Sequence, residues 1–213
     1  MLILKGKAQK NTYILYLLTL LLIFSVLLGI SIILFPFPFS FNEIWISELG
    51  DPTKNRIGCV FFDIGFIFTS LGLFPVFLNI YYRIKPIDPI LRKIILGFWL
   101  VGTITFGSIG IFHDQMQPIH DIFAGISYSS LSLGFIILLI LHIVYVHSTK
   151  PHSRFIFLLY LSIGQLALFW VLLFLFPVRN NVPFKDFAAW EWVGTISIIL
   201  TIISCVIILP EQQ

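Results

Sequence analysis

A histidine followed by an aspartate occurs twice in quick succession, as His113-Asp114 and His120-Asp121. Imidazole and carboxylate are competent general acid/base groups and metal ligands, so these pairs could move a proton or hold a metal if acids from elsewhere converge on them. The acids available are Glu48, Asp51, Asp63, Asp186 and Glu191, which fall at the same ends of the long apolar segments as the two histidine pairs. The histidine spacing matches no metalloprotease helix signature. A bound metal would therefore use His113 and His120 with donors from other segments. No nucleophile elbow, phosphate-binding glycine loop, paired-cysteine motif or dinucleotide fingerprint occurs, and the sequence names no cofactor.

The elements that must position these groups are membrane helices. Hydrophobic residues make up 58% of the 213 residues and charged residues only 11%, and the apolar residues arrive in long blocks. A block of about 20 apolar residues spans a bilayer core as a helix. Six blocks qualify: Tyr13 to Phe35, Ile57 to Tyr81, Ile94 to Phe112, Ile119 to Val146, Phe155 to Phe176 and Ala188 to Leu209. They are continuously apolar rather than alternating, which predicts an all-α integral membrane bundle of six helices in a single domain, not a barrel. The first block follows Lys5, Lys7 and Lys10 but is too long for a signal-peptide core and leads into Pro36-Phe-Pro-Phe, so it reads as a retained helix.

Basic residues concentrate on the cytoplasmic flank of membrane helices. Lys5, Lys7, Lys10, Arg83, Lys85, Arg92, Lys93, Lys150 and Arg154 share one side, against Lys54, Arg56, Arg179 and Lys185 on the other. This predicts both termini in the cytoplasm and the acid and histidine cluster outside. The net charge of +3 reports topology and contact with membrane lipids; no basic patch interleaved with aromatics points to nucleic acid. Cys59 and Cys205 belong to opposite ends of their helices, roughly 20 Å apart in depth by helical rise, too far for a disulfide.

Within this frame Asp63 lies about 9 Å below the start of the second helix and Glu191 about 5 Å into the last, by helical rise. An ionisable group at such depth must face the bundle interior, find a partner or become neutral, which marks it as a functional candidate. Glu191 is flanked by Trp190 and Trp192, so it must turn inward from an interfacial belt. Each group also has a structural reading. Asp63 could pair with a polar group of a neighbouring helix, Asp121 complements a positive helix end, and Asp186 suits an N-cap. His142, His147 and His152 lie towards the inner end without acids and read as interface residues. In the first outer loop Ser40 and Glu43 have capping-box spacing, and Phe41, Ile44, Trp45 and Leu49 share a helical face. They predict a short interfacial helix ended by Gly50-Asp51-Pro52, with Asp51-Pro52 also suited to opening the next helix. Gly125 with Ser129, and Ser130 with Gly134, predict close helix approach in the fourth span.

Four short motifs, Trp45-Ile-Ser-Glu-Leu-Gly50, the polar second helix, His120-Asp121-Ile-Phe-Ala-Gly125 and Ala189-Trp-Glu-Trp192, resemble the Frag/DRAM/Sfk superfamily and its prokaryotic six-helix relatives. The resemblance spans nearly the whole chain. It implies a lipid-handling or lipid-remodelling role at the outer leaflet, with a site built from Glu48, His120, Asp121 and Glu191; Asp63 departs from the asparagine expected in the prokaryotic relatives. Two other readings stand beside it: a non-enzymatic scaffold or regulator held together by its polar cluster, and a ceramidase-like metal-dependent hydrolase. The last needs a His-x-x-x-His pair in a late helix, and the last two spans contain no histidine.

Overall fold

The computed structural model describes residues 9–84, 87–146, 164 and 188–209. The expected fifth span, Gly164 aside, the expected Asp186 cap, His147 and His152 lie outside these residues, as do the side chains of Asp114 and His142. The described helices are α1 (Lys10–Ile33), α2 (Gly58–Arg83), α3 (Pro89–Ile109), α4 (Ile119–Val146) and α5 (Ala188–Ile208), with no strand among the described residues. Four of them, α1 to α4, are long and apolar enough to cross a membrane, and α5 is apolar from Glu191 to Ile207. Large apolar side chains stay exposed along these helices, among them Leu15, Leu22, Leu71 and Ile104, each more than 60% accessible. Such a belt is costly in water and neutral in lipid, as an integral membrane protein requires.

The start of α3 follows capping chemistry more than hydropathy. α3 begins five residues before the expected Ile94 because the Asp88 carboxylate accepts from the Ile90 N–H at 2.8 Å and the Leu91 N–H at 3.2 Å, with Pro89 in the first turn where it loses no hydrogen bond. α4 covers the expected residues.

Two apolar clusters fill the interior. One, towards the end where α2 and α4 finish, gathers Tyr13, Leu17, Phe77, Ile80, Trp99, Phe135 and Ile202. The Trp99 ring stacks on Phe77 with centroids 5.1 Å apart. The second, towards the opposite end, gathers Phe24, Ile44, Ile46, Leu49, Phe62, Phe66, Phe106 and Trp192, with Phe66 stacked between Phe62 and Phe106. Small residues bring α3 and α4 together, at the expected Gly134 and at Gly102 of α3, but not at the expected Gly125. A Cβ on Gly134 would lie 2.6 Å from the Trp99 indole, and one on Gly102 would lie 2.7 Å from Leu131, whereas Gly125 faces open space. Hydroxyls in this apolar interior are satisfied locally: Thr103 and Thr201 donate to carbonyls one turn back, while Ser70 and Ser127 bridge to α3 carbonyls.

The ends of the bundle differ in charge. Glu48, Asp51, Asp63, His113, His120 and Glu191 gather where α1 ends and α2 begins; Lys10, Arg83, Arg92 and Lys93 gather at the other. They are called the acidic and basic ends below.

Candidate functional site

The loop between α1 and α2 forms a lid over the acidic end. The expected interfacial helix is not the form it takes: residues 41–43 make a turn, and only Ser47–Gly50 wind into a single 3-10 turn. The apolar residues explain the difference. Ile44, Ile46 and Leu49 are buried beneath the lid against the Phe62, Phe66 and Trp192 cluster, so the segment sinks into the bundle rather than lying on the headgroup layer.

Side chains then hold the lid by its backbone. The Glu48 carboxylate accepts from the Trp45 N–H at 3.2 Å and from the Lys54 ammonium at 2.7 Å, the latter a half-exposed pair worth little by itself. From α5, Glu191 accepts from the Ser47 N–H at 3.4 Å and the Trp192 indole donates to the Ile44 carbonyl at 3.0 Å.

Asn55 is the centre of the arrangement. It is fully buried; its amide donates to the Ser31 carbonyl and hydroxyl and to the Leu49 carbonyl at 3.0 to 3.1 Å, and its carbonyl accepts from the Gly58 N–H at 3.2 Å. One side chain thus ties the end of α1, the lid and the start of α2. Asp51 does not open α2. It instead closes a turn, accepting from the Thr53 N–H at 2.7 Å and hydroxyl at 2.6 Å. Burial pushes the Asp51 carboxyl up, but the Thr53 hydrogen bonds and the Lys54 charge outweigh this and hold it below the usual aspartate value.

A second polar group joins α2 to the connection between α3 and α4. Asp63 Oδ2 lies 3.2 Å from His113 Nε2, with both side chains about one-fifth exposed. The other oxygen, Oδ1, is buried and has no hydrogen-bond partner among the described residues. Gly110 makes the pair possible. A Cβ there would stand 2.9 Å from the Asp63 carbonyl oxygen and 3.1 Å from Phe66 Cβ, so only glycine lets the end of α3 approach α2 this closely.

His120 is buried, with Nδ1 2.7 Å from the Phe112 carbonyl. A carbonyl only accepts, so Nδ1 carries the proton, and the ring pins the turn that presents His113. Asp121 is exposed in the first turn of α4, where its charge suits the helix end.

The predicted site residues therefore separate. Glu48 and Glu191 each accept a different backbone N–H of the lid, Asp63 meets His113, His120 fixes the connection beside that pair, and Asp121 stands apart. No three His, Cys, Asp or Glu side chains come together as a metal-binding group among the described residues. A small cavity lies deeper in the bundle between Leu21, Phe24, Thr69, Phe106, Tyr128 and Thr195, with room of about 20 Å³, enough for one water and far below a ligand cleft. Tyr128 and Thr195 share a 2.6 Å hydrogen bond in its wall.

Sequence reasoning missed Asn55 and Gly110. Asparagine three residues before a helix start is a capping signal, obscured here by the more prominent Asp51-Pro52. No family model, curated protein or solved structure matches the chain.

Proposed function

We propose that the protein is a lipid-facing membrane protein that organises or regulates its surroundings from the outer leaflet, without making or breaking covalent bonds. The observation that carries this reading is the use of the carboxylates: Glu48 and Glu191 both accept backbone N–H groups of the lid, and so serve its shape. An acid committed to a backbone donor is a poor general base, because abstracting a substrate proton requires giving up that bond. The Lys and Arg bias along the sequence supports placing the acidic end outside and the termini in the cytoplasm. Its partners on this reading are membrane lipids packed against the apolar belt.

The Asp63–His113 pair favours a second reading, lipid remodelling by acid/base chemistry. A carboxylate with one oxygen on an imidazole and the other without a partner among the described residues resembles the orienting half of a catalytic pair. Full-length protein reconstituted in phosphatidylcholine and phosphatidylethanolamine vesicles, followed by mass spectrometry of the lipids, separates the two. The regulator reading expects unchanged lipids. A product that forms with wild type and Glu191→Gln but disappears with Asp63→Asn and His113→Ala establishes remodelling instead.

A further inference from the structure

The basic end carries a polar arrangement that owes nothing to the acidic end. The last turn of α2 holds Tyr81 and Tyr82, whose rings meet edge to face with centroids 5.3 Å apart. Across the elbow, near the start of α3, the Arg92 guanidinium lies 5.3 Å from the centre of the Tyr81 ring. That ring face orients the guanidinium but cannot satisfy its N–H donors. Arg92 Nε is buried and has no hydrogen-bond partner among the described residues. Lys93 follows it, exposed.

Among the described residues this elbow holds a single acid against these cations. Asp88 is the carboxylate there, and its Oδ1 is already engaged by the Ile90 and Leu91 N–H groups. Arg83 adds a further buried positive charge near the end of α2, donating to the Val206 carbonyl at 3.0 Å. Its guanidinium also lies 5.6 Å from the centre of the Tyr13 ring. Tyrosine and arginine at the ends of apolar helices belong to the headgroup layer, where the anion at hand is lipid phosphate.

We propose that the α2–α3 elbow binds the headgroup phosphate of an anionic phospholipid. The Arg92 guanidinium, steadied by Tyr81, donates to the phosphate oxygens, and Lys93 contributes the second charge. A planar guanidinium suits phosphate better than an ammonium does, because it can present two parallel donors. This assignment is independent of the role given to the acidic end.

Native mass spectrometry of the full chain, with phosphatidylglycerol and phosphatidylcholine offered in equal amount, reads the preference directly. The expected result is retention of phosphatidylglycerol over phosphatidylcholine, reduced about fivefold by Arg92→Gln, since each basic residue near an anionic surface contributes about that factor. Lys54→Gln, at the opposite end, leaves the preference intact. Arg92→Lys keeps the charge and should lose only part of the preference, which distinguishes lost recognition from a misfolded Arg92→Gln variant; circular dichroism checks the fold of both. Equal retention of the two lipids, or full preference in both Arg92 variants, overturns the assignment. Complete displacement of phosphatidylglycerol by millimolar inorganic phosphate overturns it too, in favour of a free-anion site.

Discussion

Asn55 and Trp99 are both fully buried, one at the acidic end and the other midway along α3, and their surroundings treat polarity in opposite ways. Around Asn55 every amide atom is used, in four hydrogen bonds that join α1, the lid and α2. Around Trp99 the indole is wedged against Gly134 and stacked on Phe77, and its N–H finds no acceptor among the described residues. The lid pairs only part of its own backbone, in local turns, so its position over the bundle depends on directed bonds from side chains. Packed helices have already paired theirs, and shape decides the fit, so one unmet donor is tolerated where a whole indole fills space. Lid and core are thus held by different forces, and variants should tell them apart.

The largest effect is expected in the core. Trp99→Ala removes the indole from between α3, α4 and α2, leaving a cavity that costs about 3–5 kcal/mol. Thermal denaturation in detergent should show the midpoint falling for the whole bundle. A loss no greater than that of a surface variant would mean the core is not organised around this ring.

Asn55→Leu keeps the volume but strands the Gly58 N–H, removes the amide from the Ser31 carbonyl and leaves the Leu49 carbonyl only the long Ser31 hydroxyl contact, at about 2–3 kcal/mol. The loss should be local. Hydrogen exchange is expected to rise over residues 41–55 while α3 and α4 stay protected, and uniform loosening would erase the contrast with Trp99.

Gly110→Ala is a smaller intervention, about 1–3 kcal/mol, because one methyl group must be accommodated against the Asp63 backbone. It should part His113 from Asp63 and change the His113 ring resonances seen by NMR, leaving those of His120 in place. Unchanged His113 resonances would show that the close approach at Gly110 does not set the pair.

The smallest effect is electrostatic and confined to the lid. Asp51 is held below its ordinary value of 3.8, so its carboxylate stabilises the folded lid fully above that value. The contribution fades as pH falls through the lowered folded value. Exchange over residues 51–55 should therefore be flat in its stability dependence from pH 7 to 5 and loosen only below about 4, and Thr53→Val, which removes one of the two Thr53 donors, should raise the onset.

The helices were legible because a lipid-spanning segment declares itself by length and continuous apolarity, and α1, α2 and α4 begin within three residues of their expected starts. Hydropathy does not register caps, which is why α3 began earlier than expected, at the Asp88-Pro89 signal. The gathering of acids and histidines at one end could be read from the helix order alone. How those groups divide could not. Whether Glu191 faces a substrate or the Ser47 N–H depends on how deeply Ile44, Ile46 and Leu49 draw the lid inward, a matter of three-dimensional fit. The capping-box spacing at Ser40 and Glu43 described a helix that burial of these three residues outweighed, and Gly110 has meaning only once α2 lies beside it.

The two bonds from α5 to the lid join residues far apart along the chain, Ser47 with Glu191 across 144 positions and Ile44 with Trp192 across 148. A ribosome makes the lid long before it makes α5. During synthesis the Ile44 carbonyl and Ser47 N–H therefore wait without these partners until α5 is inserted, and a chain truncated before α5 never acquires them. The closed lid is in this sense a record that α5 has joined the helices made before it.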